Sequence, residues 1–348
     1  MMRLRSIVPA LSLALLALPA VRAAEAAPKE PVTLLSTTYM PEIVGDFDHF
    51  TVDLKRNHLF VAAEVHHSVE MFDLKTGKHL QSIGGFKTPH SIAFAPSKDE
   101  LMVCDGGDSS LVLLGGEDFH RIDRIQLVDG SATGKGDSPD AAYFDAEKNL
   151  YYIGNGGVSA KRDDSVISVF SVEQGKLIGD ISIPGNNVES MTVDNAHNRL
   201  YVNIRDKKEI GVIDLQARKI ITTWTAPDLS GNTALTMDKK NERIFVAGRK
   251  PGLLYVFDRE GHVVSKQPCM DINDDMLWDP ILKRIYVSGT QGLSIFHQDD
   301  INTYTALTHM PTNGAKTSFY VPQVQRLFLV HPKTDVDMSG LLVYQVNP

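Results

Sequence analysis

Cysteine is nearly absent: the 348 residues contain only Cys104 and Cys269. Two thiols exclude a disulfide-stapled scaffold, and no CxxCH haem attachment or CxxC redox pair occurs. Tryptophan is as scarce, and Trp224 and Trp278 each sit in an apolar segment where core packing is the expected role. Beyond residue 20 no apolar run reaches the roughly 20 residues that a membrane-spanning helix needs. Basic charge is also in deficit, with 35 Lys and Arg against 43 Asp and Glu. That balance argues against sequence-independent nucleic-acid binding, which works by neutralising phosphates. Serines are plentiful, but none stands in a G-x-S-x-G nucleophile elbow. Gly134-Lys135 lacks the spacing of a phosphate-binding loop.

What is present begins with an export pattern. Arg3 and Arg5 precede an apolar run over 7–20, and Val21-Arg22-Ala23 offers a small-residue cleavage site. The pattern predicts a leader over 1–23, a linker over 24–30 and a periplasmic or secreted mature chain. Removing the leader deletes three arginines and no acids, which takes the net charge from −8 to −11.

The rest of the chain repeats one phrase seven times. An apolar strand runs into a turn of the type Asp-x-x-x-Asn-Arg, and a second strand such as Leu-Tyr-Val follows. Copies lie at 50–62, 91–104, 141–153, 190–203, 234–247, 276–288 and 317–330. Period-two alternation, β-branched and aromatic residues, and Gly/Asn/Asp punctuation mark strands rather than helices. A third strand is expected from Ser68, Ser110, Ser165, Glu209, Gly252, Gly292 and Gly340. A fourth follows near His79, His120, Lys176, Lys219, His262 and Thr303. Four strands repeated every 41–50 residues predict an all-β, seven-bladed β-propeller occupying 31–348 as a single domain. The seventh copy ends after its third strand, so the segment 31–40 is expected to supply the missing one and close the ring. Closure removes the unpaired edges an open ring would expose. In such a ring Cys104 and Cys269, in the second and fifth repeats, stand too far apart to bond; both read as buried thiols.

The repeats resemble those of bacterial exported propellers of the YVTN type. Tyr201-Val202-Asn203, Tyr286-Val287-Ser288, the turn from Asp194 to Arg199 and the turn from Asp73 to Gly77 carry the resemblance. It covers nearly all of the mature chain and implies architecture rather than activity. A more distant resemblance to the senescence-marker and gluconolactonase propellers implies metal-dependent lactone hydrolysis around the axis.

Function is sought where the blades differ. Five places before the residue that ends each first strand stand Asp48, His90, Asp140, Glu189, Thr233, Asp274 and Lys316. In a propeller these ring the axis on one face, and six of the seven can ionise or bind a metal. His49, Asn187, Asn232 and Asp275 are their neighbours. The loops after the second strands should open on the same face and begin with Glu64, Asp105, Asn155, Arg205, Arg249, Thr290 and His331. Acids gather on one side of this mouth, and Arg205, Arg249, Lys250, Lys316 and Lys333 on the other, interrupted by Asp274 and Asp275. Crowded carboxylates repel unless a cation or shared protons intervene. A divalent ion (Ca, Zn or Mn) among Asp48, His90, Asp140 and Glu189 would meet that need, with the basic side holding an anionic ligand. The expected function is therefore a monomeric binding protein whose polar funnel takes a small molecule or a protein segment. A lactonase-like metal-dependent hydrolase and a protein-interaction scaffold are the alternatives. The loop 129–137 is read as lying over the funnel, 159–164 as its lip, and His66-His67 as a solvated turn.

Overall fold

The computed structural model describes residues 30–348. The expected leader, its cleavage site and nearly all of the linker lie outside the described residues. Residues Pro31–Pro348 form one compact unit. It contains seven antiparallel four-stranded sheets, spanning 50–84, 89–126, 142–183, 188–224, 235–268, 273–310 and, for the seventh, 317–346 with an added N-terminal strand. The seven-bladed propeller is thus present, and every third strand starts at the residue the repeat predicts. Among the described residues no helix is long and apolar enough to cross a membrane.

The turn inside the repeated phrase has a simple cause. The fifth residue of each turn is left-handed: Asn57, Asp99, Asn149, Asn198, Glu242, Lys283 and Gln325 have φ between 51° and 63°. Asn tolerates that region better than most residues, which explains its recurrence. The leading Asp accepts hydrogen bonds from the backbone N–H groups two or three residues on. Asp194 does so from Ala196 at 3.1 Å and His197 at 3.3 Å, and Asp238 and Asp279 repeat the pattern. Replacing Asp194 with Ala frees those donors and is expected to cost about 1–2 kcal/mol, by the same logic as a lost helix cap. Urea unfolding of D194A checks this.

Alternate residues of each strand face opposite neighbours, so the core is seven layers between blades rather than one centre. Phe60, Val69 and Ile83 of the first blade pack on Ile92, Leu101 and Val112 of the second. Phe72 and Val61 of the first pack on Phe328, Val330 and Val343 of the seventh. Trp224 packs in the layer between the fourth and fifth blades, against Tyr201 and Phe257. Trp278 lies against Phe245 between the fifth and sixth. Cys104 is fully buried, whereas Cys269 is only partly so because it sits in a loop at the edge of its layer; both thiols are free.

The ring closes as the sequence implies. Val32–Tyr39 pairs antiparallel with Gly340–Val346, from Val32 opposite Val346 to Tyr39 opposite Gly340. The junction is stitched further by Met40 N–H donating to Ser339 C=O at 2.8 Å and Asn347 N–H donating to Pro31 C=O at 3.0 Å.

Candidate functional site

A β-bulge shapes the axial mouth. In the first blade Asp48 N–H donates to Ala62 C=O at 2.9 Å, while Ala62 N–H donates to His49 C=O at 3.2 Å. Two residues therefore oppose one. The fifth blade repeats this with Thr233 and Ala234 against Ala247. In the second, fourth and sixth blades the register breaks at the same place, between Pro89 and Ile92, Val188 and Met191, and Asn273 and Asp275. An extra residue bends a strand and re-aims its side chains. In consequence two successive positions line the axis at several blades, such as Asp48 with His49 and Glu189 with Ser190.

These residues enclose a cavity of about 190 Å³ lined by Asp48, His49, Glu64, His90, Asp137, Asp140, Glu189, Arg205, Thr233, Arg249, Asp274 and Lys316, with Ala141 and Ser190. His90 is central to its acidic side. Its Nδ1 lies 2.9 Å from Asp48 Oδ2, 3.6 Å from Asp140 Oδ1 and 3.9 Å from Glu64 Oε1. Its Nε2 lies 3.0 Å from the Gly136 carbonyl, an acceptor only, so Nε2 carries a proton and donates. His49 bridges Asp48 at 3.4 Å and Asp275 at 3.0 Å.

The basic side is neutralised from within. Arg205 Nη1 donates to Glu189 Oε1 at 2.8 Å. Arg249 pairs with Asp274 and donates from Nε to the Asn273 carbonyl at 2.8 Å. Lys316 Nζ bonds Asp274 at 2.5 Å and lies 3.3 Å from Asp46. Lys250 and Lys333 are exposed and do not line the cavity. The expectation of a basic half free to hold an anion is therefore corrected: each cation lining the wall already has its carboxylate.

Charge crowding sets the titration of the wall. Burial alone would raise Asp48, but His49, His90 and Lys316 overcome it and hold the carboxyl far below the usual range. Burial disfavours charge on His90, yet the Asp48 hydrogen bond and the charges of Asp140, Asp48 and Glu64 raise it to about 10. Burial, then repulsion from Asp48, pushes Glu64 up to about 7. The same two causes raise Asp140 well above the carboxylate range, although its side chain opens on the cavity and keeps 41% of its exposure. Burial also outweighs Arg205 in raising Glu189.

Of the four residues expected to share a metal, Asp48, His90 and Asp140 offer ligand atoms that all lie within 4.8 Å of one another. Glu189 is outside that group, because its carboxylate is turned to Arg205. Several of the predicted mouth residues, three from the second-strand ends and Asn232 from the neighbours of the ring, stand off the axial cavity. Asp105 is fully buried and accepts the N–H groups of Lys87 and Thr88. Asn155 takes the Val128 N–H and lines a neighbouring cavity between the third and fourth blades. Asn232 is buried against Asn203 and the Glu209 carbonyl. His331 is buried at the outer rim of the seventh blade. A loop crossing between strands leaves backbone groups to be satisfied, and these end-of-strand polar residues satisfy them. Counting strands missed Asp137, which the loop 129–137 brings into the wall; the reading of that loop as a cover for the funnel was its only signal.

Comparison with known proteins gives the fold and little more. No protein-family profile matches the chain. Antigen Lp49 of Leptospira interrogans serogroup Icterohaemorrhagiae serovar copenhageni (strain Fiocruz L1-130) is 26% identical over 244 residues, covering 68% of this chain and 49% of that protein. The chain thus spans about half the length of this relative. Among solved structures, a chain of Kuenenia stuttgartiensis hydrazine synthase superposes with a TM-score of 0.71 at 14% identity, over 86% of this chain and 99% of that one. A chain of a mitotic checkpoint complex also gives 0.71 at 14% identity, over 93% and 98%. At such identities the likeness is one of architecture: this chain is similar to other β-propellers in fold.

Proposed function

We propose that this propeller is a binding protein whose charged axial cavity takes a small cationic ligand. The carrying observation is the charge count of the wall. Six carboxylates, Asp48, Glu64, Asp137, Asp140, Glu189 and Asp274, face Arg205, Arg249, Lys316 and the imidazoles of His49 and His90. With all six ionised and both imidazoles charged the wall would lack a positive charge on the side of Glu64, Asp137 and Asp140; the upward shifts of Asp140 and Glu64 answer that shortage with protons, which an entering cation would displace. In a partly desolvated cavity an incoming cation is attracted far more strongly than in water. The fold itself suits a binding or scaffold role. The repeat turns and the N-terminal pattern support placing the chain among exported, periplasmic YVTN-type propellers, acting as a monomer because the ring closes on itself.

A divalent cation at Asp48, His90 and Asp140 is the second reading. It is favoured by the convergence of those ligand atoms and by the Gly136 carbonyl on His90 Nε2, which leaves Nδ1 facing the carboxylates. A carbonyl on the remote ring nitrogen is the usual way a ligating imidazole is oriented. A bound metal would supply Lewis-acid polarisation of a carbonyl or a water, the chemistry a lactonase-like hydrolase requires.

Thermal unfolding with CaCl₂, ZnCl₂, MnCl₂, ethanolamine or putrescine tests both readings. A ligand at 100 times its Kd stabilises by about 2.7 kcal/mol, which is read as a rise of several degrees in Tm. Asp140→Asn is expected to remove that rise. Stabilisation by an amine alone selects the first reading, and by a metal alone the second. Stabilisation by acetate or citrate instead of any cation overturns both.

A further inference from the structure

The propeller axis holds a second chamber of different chemistry. It has a volume of about 360 Å³ and adjoins the charged cavity, sharing His49, Ala141 and Ser190 with it. One position from every blade lines it: Thr51, Ala93, Tyr143, Thr192, Thr236, Leu277 and Phe319. These sit two places before the end of each first strand, three places beyond the charged ring. Neither Lys, Arg nor Glu contributes to its wall, and its charged groups are His49 and Asp275, already paired with each other at 3.0 Å. Tyr143, Phe144, Leu277 and Phe319 are only partly buried there.

We propose that this chamber is a binding site for an uncharged small molecule with an aromatic body and one hydrogen-bonding end. The volume falls within the range of small-molecule sites, which combine an apolar lining with a few placed polar groups. A charged ligand is disfavoured because the wall offers no unpaired ion to compensate its desolvation. A polar end has a stated partner. Ser91 lines the chamber, is 3% exposed, and keeps a buried hydroxyl without a protein partner. A buried polar group left so is costly, and a ligand that bonds it removes that cost. The site is distinct from the acidic cluster of the charged cavity, since none of Asp48, Glu64, His90 and Asp140 lines it.

The probe is N-phenyl-1-naphthylamine, a neutral diarylamine whose fluorescence rises in apolar surroundings. Titration is expected to saturate at one equivalent per chain. Thr236→Phe and Leu277→Phe fill the chamber and are expected to weaken binding at least tenfold, with thermal melts confirming that the variants fold. Ser91→Ala is expected to weaken it about 2- to 10-fold, the range of one lost hydrogen bond. The most exposed apolar side chains, Ile281 and Val336, serve as controls; I281S and V336S should leave the signal unchanged. The proposal fails if the signal does not saturate, survives both filling variants, or disappears with I281S and V336S. Unchanged affinity in S91A overturns the role given to its hydroxyl.

Discussion

A chain lacking residues 31–40 is expected to lose its cooperative fold altogether. The missing strand makes seven register pairs with Gly340–Val346, and Met40 is buried in the layer between the seventh and first blades. At about 1 kcal/mol net per hydrogen bond, the ladder alone contributes about 5 kcal/mol or more, against a total stability on the order of 5–15 kcal/mol. The loss is not confined to one blade. Without closure the strand Gly340–Val346 becomes a free edge, and unpaired edges recruit other chains. Circular dichroism melts should lose their sigmoidal transition, and size-exclusion chromatography should show aggregates. Leu35→Ser changes a side chain that is 50% exposed on the same strand, and should shift stability by no more than about 0.5 kcal/mol. A truncated chain that still melts cooperatively as a monomer would show that the ring does not need its clasp.

The second large effect concerns pH and His90. In metal-free protein, stability is expected to fall as pH rises from about 5 to 10. The folded-state pKa of His90, about 10, lies above the ordinary 6.5, so its contribution is complete below 6.5 and is lost as pH rises through 10. Glu64, raised from 4.5 to about 7, acts in the same direction over a lower window. Asp48 acts oppositely: its pKa is lowered from 3.8, so its contribution is present above that value and fades in acid. His90→Gln removes the cation facing Asp48, Asp140 and Glu64. Breaking a buried pair in this way costs about 3–5 kcal/mol, and the cost should shrink near pH 5, where Glu64, raised to about 7, carries its proton. Urea midpoints at pH 5, 7 and 9.5 with EDTA present measure the effect. Equal destabilisation at all three values would mean that His90 contributes by packing alone.

The fold was legible because the copies of the phrase state the same local physics: a left-handed Asn or its substitute, in five of the seven an Asp that gathers backbone donors, and alternation that commits each face to a neighbour. Even the missing fourth strand of the seventh blade could be inferred by subtraction. The charged ring was legible by counting, since Asp48, His90, Asp140, Glu189, Asp274 and Lys316 hold the same place in their blades. Which of them pair was not, because that depends on side-chain reach across the axis. Glu189 turned to Arg205 and Asp274 to Arg249 and Lys316 are choices made between blades. Asp105, Asn155, Asn232 and His331 mark the same limit. A polar residue at a strand end looks alike in sequence whether it faces a cavity or ties down a loop.

The bulge at the mouth has a further consequence. It absorbs the mismatch between the side chains at the axis and the strand that packs between blades, so the two obey separate demands. Residues such as Asp48 and Thr233 can be exchanged while the layers beneath them keep their partners. One group at the mouth can thus be changed without a change in the layers. A chimera carrying one innermost segment from a related propeller should therefore fold as before and alter a single group at the mouth.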